Sequence, residues 1–121
     1  MEAALYNYKA ILLDWLDGDS AKISIDLGFS VSIAQTIRVN GINTPEVRGT
    51  ERPLGVAALN RAITLIPPGT EIEVHSYKSG GGDKYGRYLC DITLQDGSSY
   101  AKSMIDASLA KPWDGQGKKP S

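Results

Sequence analysis

The chain has 121 residues, of which 41% are hydrophobic and 22% are charged, and its formal net charge is −1. This length supports one domain with a real hydrophobic core, and no apolar run is long enough to cross a bilayer. The charge argues against nucleic-acid binding by bulk electrostatic attraction alone, although a local basic face is still possible.

The N-terminus and the cysteine content bear on the location of the protein. The first residues lack a basic region followed by an apolar stretch, so no secretory signal is expected. Cys90 is the single cysteine, which excludes an internal disulfide and fits a reducing compartment. We therefore expect a cytoplasmic location, although a processed secreted chain would look the same.

The first third of the chain has the composition of β-strands. Aromatic and aliphatic residues dominate the start, and the Asp-Gly-Asp sequence at residues 17–19 predicts a turn. Alternation around Ile23 and Ile25 is typical of a half-buried strand, and residues 28–30 then form a hairpin connection. Three strands are predicted, over residues 6–16, 21–27 and 31–39.

The middle of the chain predicts a loop followed by a helix. Pro45 breaks the strand pattern, because proline keeps its predecessor out of helical geometry, and we expect an exposed loop over residues 46–54. Apolar side chains then recur at helical spacing over residues 55–66, and the Pro-Pro-Gly sequence at 67–69 ends the helix. The residues at this spacing are Val56, Leu59, Ile63 and Ile66.

The last third predicts two strands, at residues 71–77 and 87–94, and a second helix, which Ser98 or Ser99 caps and which runs to Leu109. The whole pattern is mainly β with helices (α+β). Five strands with helices after the third and fifth suit a Greek-key barrel of the OB type, although an SH3-like barrel has a similar strand number. We expect the domain to span residues 1–111, followed by a flexible Gly/Lys/Pro-rich tail at 112–121.

Three segments concentrate arginines and oxygen-bearing side chains. They are Asp-Gly-Asp-Ser at 17–20, Arg-Val-Asn-Gly-Ile-Asn-Thr-Pro-Glu at 38–46, and Asp-Lys-Tyr-Gly-Arg at 83–87. An arginine fork matches a phosphate, and clustered oxygens match a hard divalent cation. Each segment alone has a simpler explanation, since Asp-Gly favours turns and a strand arginine often pairs with a carboxylate such as Glu46 or Asp83. Together they indicate metal-assisted phosphodiester hydrolysis.

These segments, with Ser-Leu-Ala-Lys at 108–111, resemble the signature segments of the staphylococcal nuclease (thermonuclease) family in order and spacing. The resemblance covers roughly residues 16–111. It implies an OB-fold nuclease that uses calcium to cleave DNA or RNA with little sequence preference. Nucleic acid would then be the partner, without membrane association, and the oligomeric state stays open with a monomer favoured.

The resemblance also implies roles for individual residues. Glu46 would orient or deprotonate the attacking water, while Arg38 and Arg87 would hold the phosphate. The calcium ligands would be Asp19, Asn43 and the backbone carbonyl of Thr44. The nucleotide base would lie near Lys84, Tyr85 and Trp113, although Trp113 has the simpler alternative of anchoring the tail to the barrel.

The sequence departs from the family pattern in four ways. Asn43 replaces the usual Asp and removes a negative charge, Ser20 replaces Thr, and Ser108 replaces Gly. The third helix of longer family members is also expected to be missing. A degenerate domain that binds nucleic acid or a protein without cutting is therefore an alternative, and a small SH3-like interaction domain is another. The intact set of Arg38, Glu46 and Arg87 favours the enzyme.

Overall fold

The computed structural model describes residues 6–49, 52–77 and 88–113. Strands β1, β2, β3, β6 and β5 close a barrel in that order, and β4 and β7 form a separate two-stranded sheet. The elements in chain order are β1 (Asn7–Asp17), β2 (Ser20–Gly28), β3 (Val31–Val39), β4 (Ile42–Asn43), α1 (Arg52–Leu65), β5 (Glu71–Ser76), β6 (Tyr88–Thr93), α2 (Tyr100–Asp106) and β7 (Lys111–Pro112).

The barrel confirms the predicted fold class. Neighbouring strands run antiparallel except at the junction of β3 and β6, which is parallel and pairs Ile37 with Tyr88 and Val39 with Cys90. A closed five-stranded mixed barrel with two helices is the expected OB-like α+β architecture. No helix in the described part of the chain has both the length and the apolarity needed to cross a membrane.

Strand β1 connects the barrel to both helices. Its inward side chains shift from Ala10 and Leu12 to Trp15, because the pairing with β2 is irregular between Leu12 and Asp14. The Trp15 ring stacks on Tyr100 of α2 at a centroid distance of 4.9 Å. Its Nε1–H donates to the carbonyl of Ile66, just after α1, over 3.0 Å. One buried aromatic residue therefore joins β1, α1 and α2.

Helix α1 starts earlier than predicted, and small residues form its buried face. It begins at Arg52 rather than at residue 55, since Pro53 is tolerated in a first helical turn, where no partner is lost. Its buried residues are Gly55, Ala58 and Ala62, whereas the Ile63 side chain is 40% exposed. Ile63 has the predicted helical spacing but does not belong to the buried face. Small residues on the buried face allow the helix backbone to approach the barrel closely.

Helix α2 has the predicted cap and a shorter body. The Ser99 side chain accepts a hydrogen bond from the backbone N–H of Lys102, as an N-cap residue does. The helix ends at Asp106, three residues before the predicted end, and Ser108 follows with a φ of 60°. This left-handed backbone stops the helix and turns the chain towards β7, which pairs with β4.

Candidate active site

Asp19 and Arg38 meet because two antiparallel strands pair beside a tight turn. Asp19 lies in the turn between β1 and β2, and the next residue, Ser20, pairs with Arg38 of β3. The Asp19 carbonyl also accepts the N–H of Val39 over 2.8 Å. Both charged residues are buried, at 8% and 7% exposure, with 3.5 Å between Arg38 Nη2 and Asp19 Oδ2. Among the described residues, Arg38 therefore forms its ion pair with Asp19 and not with Glu46; Asp83, the other partner expected from the sequence, lies outside them.

The Arg38 guanidinium is held by backbone oxygens on one side and by side-chain oxygens on the other. Nη1 donates to the carbonyls of Val39 and Ile42, each over 3.0 Å. Nη2 is 3.5 Å from Asp19 Oδ2 and 3.5 Å from Asn43 Oδ1. The two Nη2 contacts are longer than ordinary hydrogen bonds of about 2.7–3.2 Å and are therefore weak. Nη1 is anchored, whereas Nη2 keeps donor capacity for a better acceptor.

The Asp19 carboxylate connects the turn to the segment after β4. Its Oδ2 accepts the N–H of Thr44 over 3.1 Å, and Oδ1 accepts the hydroxyl of Ser20 over 3.3 Å. Thr44 is 3% exposed, and its buried Oγ1 has no hydrogen-bond partner among the residues that the structure describes. An orphaned buried oxygen beside a buried carboxylate is a costly arrangement that a polar ligand would relieve.

The turn requires a glycine at position 18. A Cβ atom there would lie 3.0 Å from Thr44 Cγ2 and 3.1 Å from the Cβ of Ala58 in α1. The Gly18 carbonyl accepts the hydroxyl of Tyr100. Burial, and then the charge of Asp19, raise the pKa of Tyr100 far above its ordinary value, so the hydroxyl stays a donor. Helix α1 and Tyr100 together fix the turn that presents Asp19.

Glu46 is exposed and follows Thr44 by two residues, on a loop whose backbone is tightly packed. A Cβ on Gly55 of α1 would lie only 1.9 Å from the Glu46 carbonyl oxygen. The following residue, Val47, accepts a hydrogen bond from Arg52 Nη1 over 3.1 Å. Its N–H also donates to the Asp17 carboxylate. Three contacts therefore hold the backbone that carries Glu46.

The pKa of Asp17 reflects the negative charges around it. Burial, and then the negative charge of Asp19, raise the pKa of Asp17 above its ordinary value, and the charge of Glu46 adds to the rise. The N–H of Val47 and the charge of Arg48 act in the opposite direction. Asp17, Asp19 and Glu46 thus lie within electrostatic range of one another. This repulsion would be relieved by a bound cation.

The oxygen donors of the site match the requirements of calcium in type but not in charge. Asp19, Asn43 and the Thr44 carbonyl supply the hard oxygens that calcium prefers, but only one of the three carries a full charge. Within residues 6–49, 52–77 and 88–113, no three His, Cys, Asp or Glu side chains group closely enough to hold a metal by themselves. The orphaned Thr44 Oγ1 and the neighbouring carboxylates favour a cation nonetheless. The site fits calcium in donor type, with fewer charges than is usual.

A family model described as staphylococcal nuclease homologue matches residues 36–119, which is more than half of the chain. The chain belongs to the staphylococcal nuclease family. A search of curated proteins finds no match. The matched range includes Arg38 and Glu46 but begins after Asp19, which reaches the site through the pairing of β2 with β3.

The structure of this staphylococcal nuclease homologue places most of the predicted site residues together. Asp19, Arg38, Asn43 and Thr44 are joined by the contacts given above, and Glu46 follows on the fixed loop. Trp113 lies on Arg38, with its ring centroid 5.0 Å from Arg38 Cζ. Three further predicted residues, Lys84, Tyr85 and Arg87, lie outside the described residues.

Four residues that shape the site were missed as functional residues in the sequence. Asp17 and Gly18 stood inside a recognised segment but were assigned no role, since their contacts with Val47, Thr44 and Tyr100 are distant in sequence. Gly55 could have been identified from the sequence. A glycine within a helix lowers its stability, so its presence there suggests close packing against another segment. In the sequence, Tyr100 could not be distinguished from the other inward-facing residues of its helix. Only the structure shows that its hydroxyl donates to the Gly18 carbonyl.

Proposed function

We propose that this chain is a calcium-dependent nuclease that hydrolyses phosphodiester bonds of DNA or RNA with little sequence preference. The observation that carries the proposal is the half-anchored guanidinium of Arg38. Its Nη1 is fixed by two carbonyls, while Nη2 makes two long contacts that a phosphate oxygen would replace with shorter, charge-assisted ones. Family membership supports the same activity, since the family includes nucleases.

Arg38 acts on the charge that develops during the reaction. Negative charge accumulates on the phosphoryl oxygens as water attacks, so a cation fixed in advance stabilises the transition state more than the ground state. Burial strengthens this interaction, because little water screens the guanidinium. Arg87 is proposed to hold the same phosphate from the leaving side.

Glu46 is the proposed group that orients or deprotonates the water. Its carboxylate is exposed and therefore accessible to solvent, while its backbone is held by Gly55, Val47 and the contacts around them. A base that must reach one water molecule gains from this arrangement, because the backbone that carries it is held before substrate binds.

The proposed calcium ligands are Asp19, Asn43 and the carbonyl of Thr44. When bound, the ion supplies positive charge that neutralises the phosphate and organises the attacking water. Asn43 contributes an oxygen without a charge, and Arg38 already pairs with Asp19. We therefore expect calcium affinity to be lower than in a site with two carboxylates.

One assay with a matched control tests the proposal. Purified protein is incubated with single-stranded DNA in calcium and, separately, in chelator, together with the variants Glu46→Gln and Glu71→Gln. Glu71 is an exposed residue of β5, so its variant makes the same chemical change outside the proposed site. We expect calcium-dependent fragments from the parent and from Glu71→Gln, and none from Glu46→Gln.

A second candidate, a domain that binds nucleic acid without cutting it, is favoured by one observation. Asn43 replaces the usual Asp and lies beside Arg38, with 3.5 Å between Oδ1 and Nη2, so the side chain nearest the arginine adds no charge with which to hold a cation. In the same assay, this alternative gives DNA of reduced gel mobility with no fragments in calcium. That result would contradict the nuclease and support the binder.

A further inference from the structure

The short strand β7 returns the chain to the candidate site. Lys111 pairs with Asn43 and Pro112 pairs with Ile42, both across the two-stranded sheet with β4. The N–H of Trp113 then donates to the carbonyl of Gly41 over 2.9 Å. This pairing places the indole ring over the Arg38 guanidinium, with Cζ 5.0 Å from the ring centroid. Backbone hydrogen bonding therefore holds the main chain that carries the ring.

The same pairing also supports the other side of Arg38. Ile42, whose carbonyl accepts a hydrogen bond from Arg38 Nη1, is the residue opposite Pro112. Strand β7 therefore stabilises an acceptor of the guanidinium and supplies a ring that covers one of its faces. The Arg38 guanidinium donates to two backbone carbonyls and lies against an aromatic ring, and these contacts together restrict its rotation.

We propose that Trp113 is a positioning residue that holds Arg38 in the orientation needed to receive the phosphate. The kinetic part of this inference rests on the proposed nuclease function. This role differs from stacking on the nucleotide base, which was one of the two roles expected for Trp113 from the sequence; the other was anchoring the tail to the barrel. The ring face over Arg38 is occupied by the guanidinium, so a base does not stack there.

The two roles differ in their kinetic consequences. Loss of a base-stacking ring weakens substrate binding, and its usual worth of about 1–3 kcal/mol corresponds to a KM increase of roughly 5- to 150-fold with kcat preserved. Loss of a ring that positions Arg38 instead lowers kcat, because the guanidinium interacts most strongly with the transition state. A misplacement of about 1 Å costs on the order of 100-fold in rate.

The experiment compares Trp113→Ala, Trp113→Phe and Phe29→Ala with the parent on single-stranded DNA in calcium. Phe29 is fully exposed in the turn between β2 and β3, so its variant controls for loss of an aromatic side chain. We expect Trp113→Ala to lower kcat by roughly 10- to 100-fold with little change in KM, and Trp113→Phe to recover most of the loss. Phe29→Ala should behave as the parent. A raised KM with unchanged kcat in Trp113→Ala would overturn the positioning role.

A spectroscopic measurement separates this inference from the nuclease proposal. The chain has two tryptophans, so the emission of Trp113 is obtained by subtracting the Trp113→Phe spectrum from that of the parent. Arg38→Lys keeps the charge but removes the planar stack, and we expect it to shift this emission. If the parent fails to cut DNA, the nuclease proposal fails while the emission still tests the contact. An emission unchanged in Arg38→Lys would overturn the inference whatever the activity.

Discussion

Replacement of Gly55 by alanine should strongly lower kcat/KM while leaving the fold intact. A Cβ at this position would lie 1.9 Å from the carbonyl oxygen of Glu46, 2.3 Å from its carbonyl carbon and 2.7 Å from the nitrogen of Val47. Ordinary contacts to a Cβ begin at 3.4 Å, so the helix and the loop must separate by about 1.5 Å. All three crowded atoms belong to the backbone, and no side-chain rotation relieves the clash.

The loop should yield rather than the helix. Helix α1 is fixed on the barrel by Ala58, Ala62 and the hydrogen bond from Trp15 just beyond its end, whereas the Glu46 loop is at the surface. Alanine gains about 0.5–1 kcal/mol over glycine in a helix, and overpacking costs about 1–3 kcal/mol. The net loss of stability is therefore about 2 kcal/mol or less, which a domain with a free energy of unfolding of about 5–15 kcal/mol tolerates.

The catalytic effect should be larger than the effect on stability. A displacement of about 1.5 Å moves the base away from its water, and we expect kcat/KM to fall on the order of 100-fold. Asn60→Ala, at an exposed position of the same helix, is the matched control and should keep full activity. Rates are measured on single-stranded DNA, and folding is checked by thermal denaturation. A folded Gly55→Ala variant with parental kcat/KM would refute the argument that helix packing positions Glu46.

Four further substitutions test separate parts of the structure. Ser108→Gly should raise the free energy of unfolding by about 1 kcal/mol in thermal denaturation, because Ser108 has a φ of 60°. Tyr100→Phe should lower it by about 1–3 kcal/mol in urea, since the buried Gly18 carbonyl loses its donor. Asn43→Asp should tighten calcium binding in a calorimetric titration, and an unchanged titration would remove residue 43 from the ligands. Asp17→Asn should raise the melting temperature at neutral pH in chelator.

The strands were predictable because their signal is local. The β-branched residues of 31–39 predicted the third strand with the bounds that the structure has, and alternation around Ile23 located the second. The face of α1 was not predictable in the same way. Apolar periodicity gives weight to large side chains such as Ile63. In the structure, Gly55 instead packs closely on the backbone of the Glu46 loop, and Ala58 lies close to the turn at Gly18. Whether a large or a small side chain fits on the buried face of a helix depends on the surface that the helix packs against, and the sequence alone does not show that surface.

Strand β7 illustrates a second limit. Lys111 and Pro112 carry no periodic signal, and a proline is unusual in a strand unless it lies at an edge. Their pairing with β4 depends on where α2 ends, which in turn depends on the left-handed backbone of Ser108. The sequence could therefore indicate Arg38, Asp19, Thr44 and Trp113 through the family resemblance, but not the contact of the Trp113 ring with Arg38.

Asp17 shows that the local structure is not arranged for greatest stability. Its pKa in the folded protein is raised above the ordinary 3.8, mainly by burial and then by Asp19. Below 3.8 the side chain is protonated in both states and costs nothing. As the pH rises through the raised pKa, the unfolded chain releases its proton more readily, so folding becomes less favourable.

Asparagine at position 17 keeps an oxygen that accepts the N–H of Val47 and removes the charge, so its advantage should be present at neutral pH and vanish in acid. Melting curves across this range, recorded in chelator, measure the difference. An advantage that persists at low pH would mean that packing, and not charge, explains it. A pH-dependent advantage would show that the chain retains a destabilising carboxylate beside Asp19 and Glu46. Such a cost is expected where a site is arranged to attract a cation rather than to stabilise the fold.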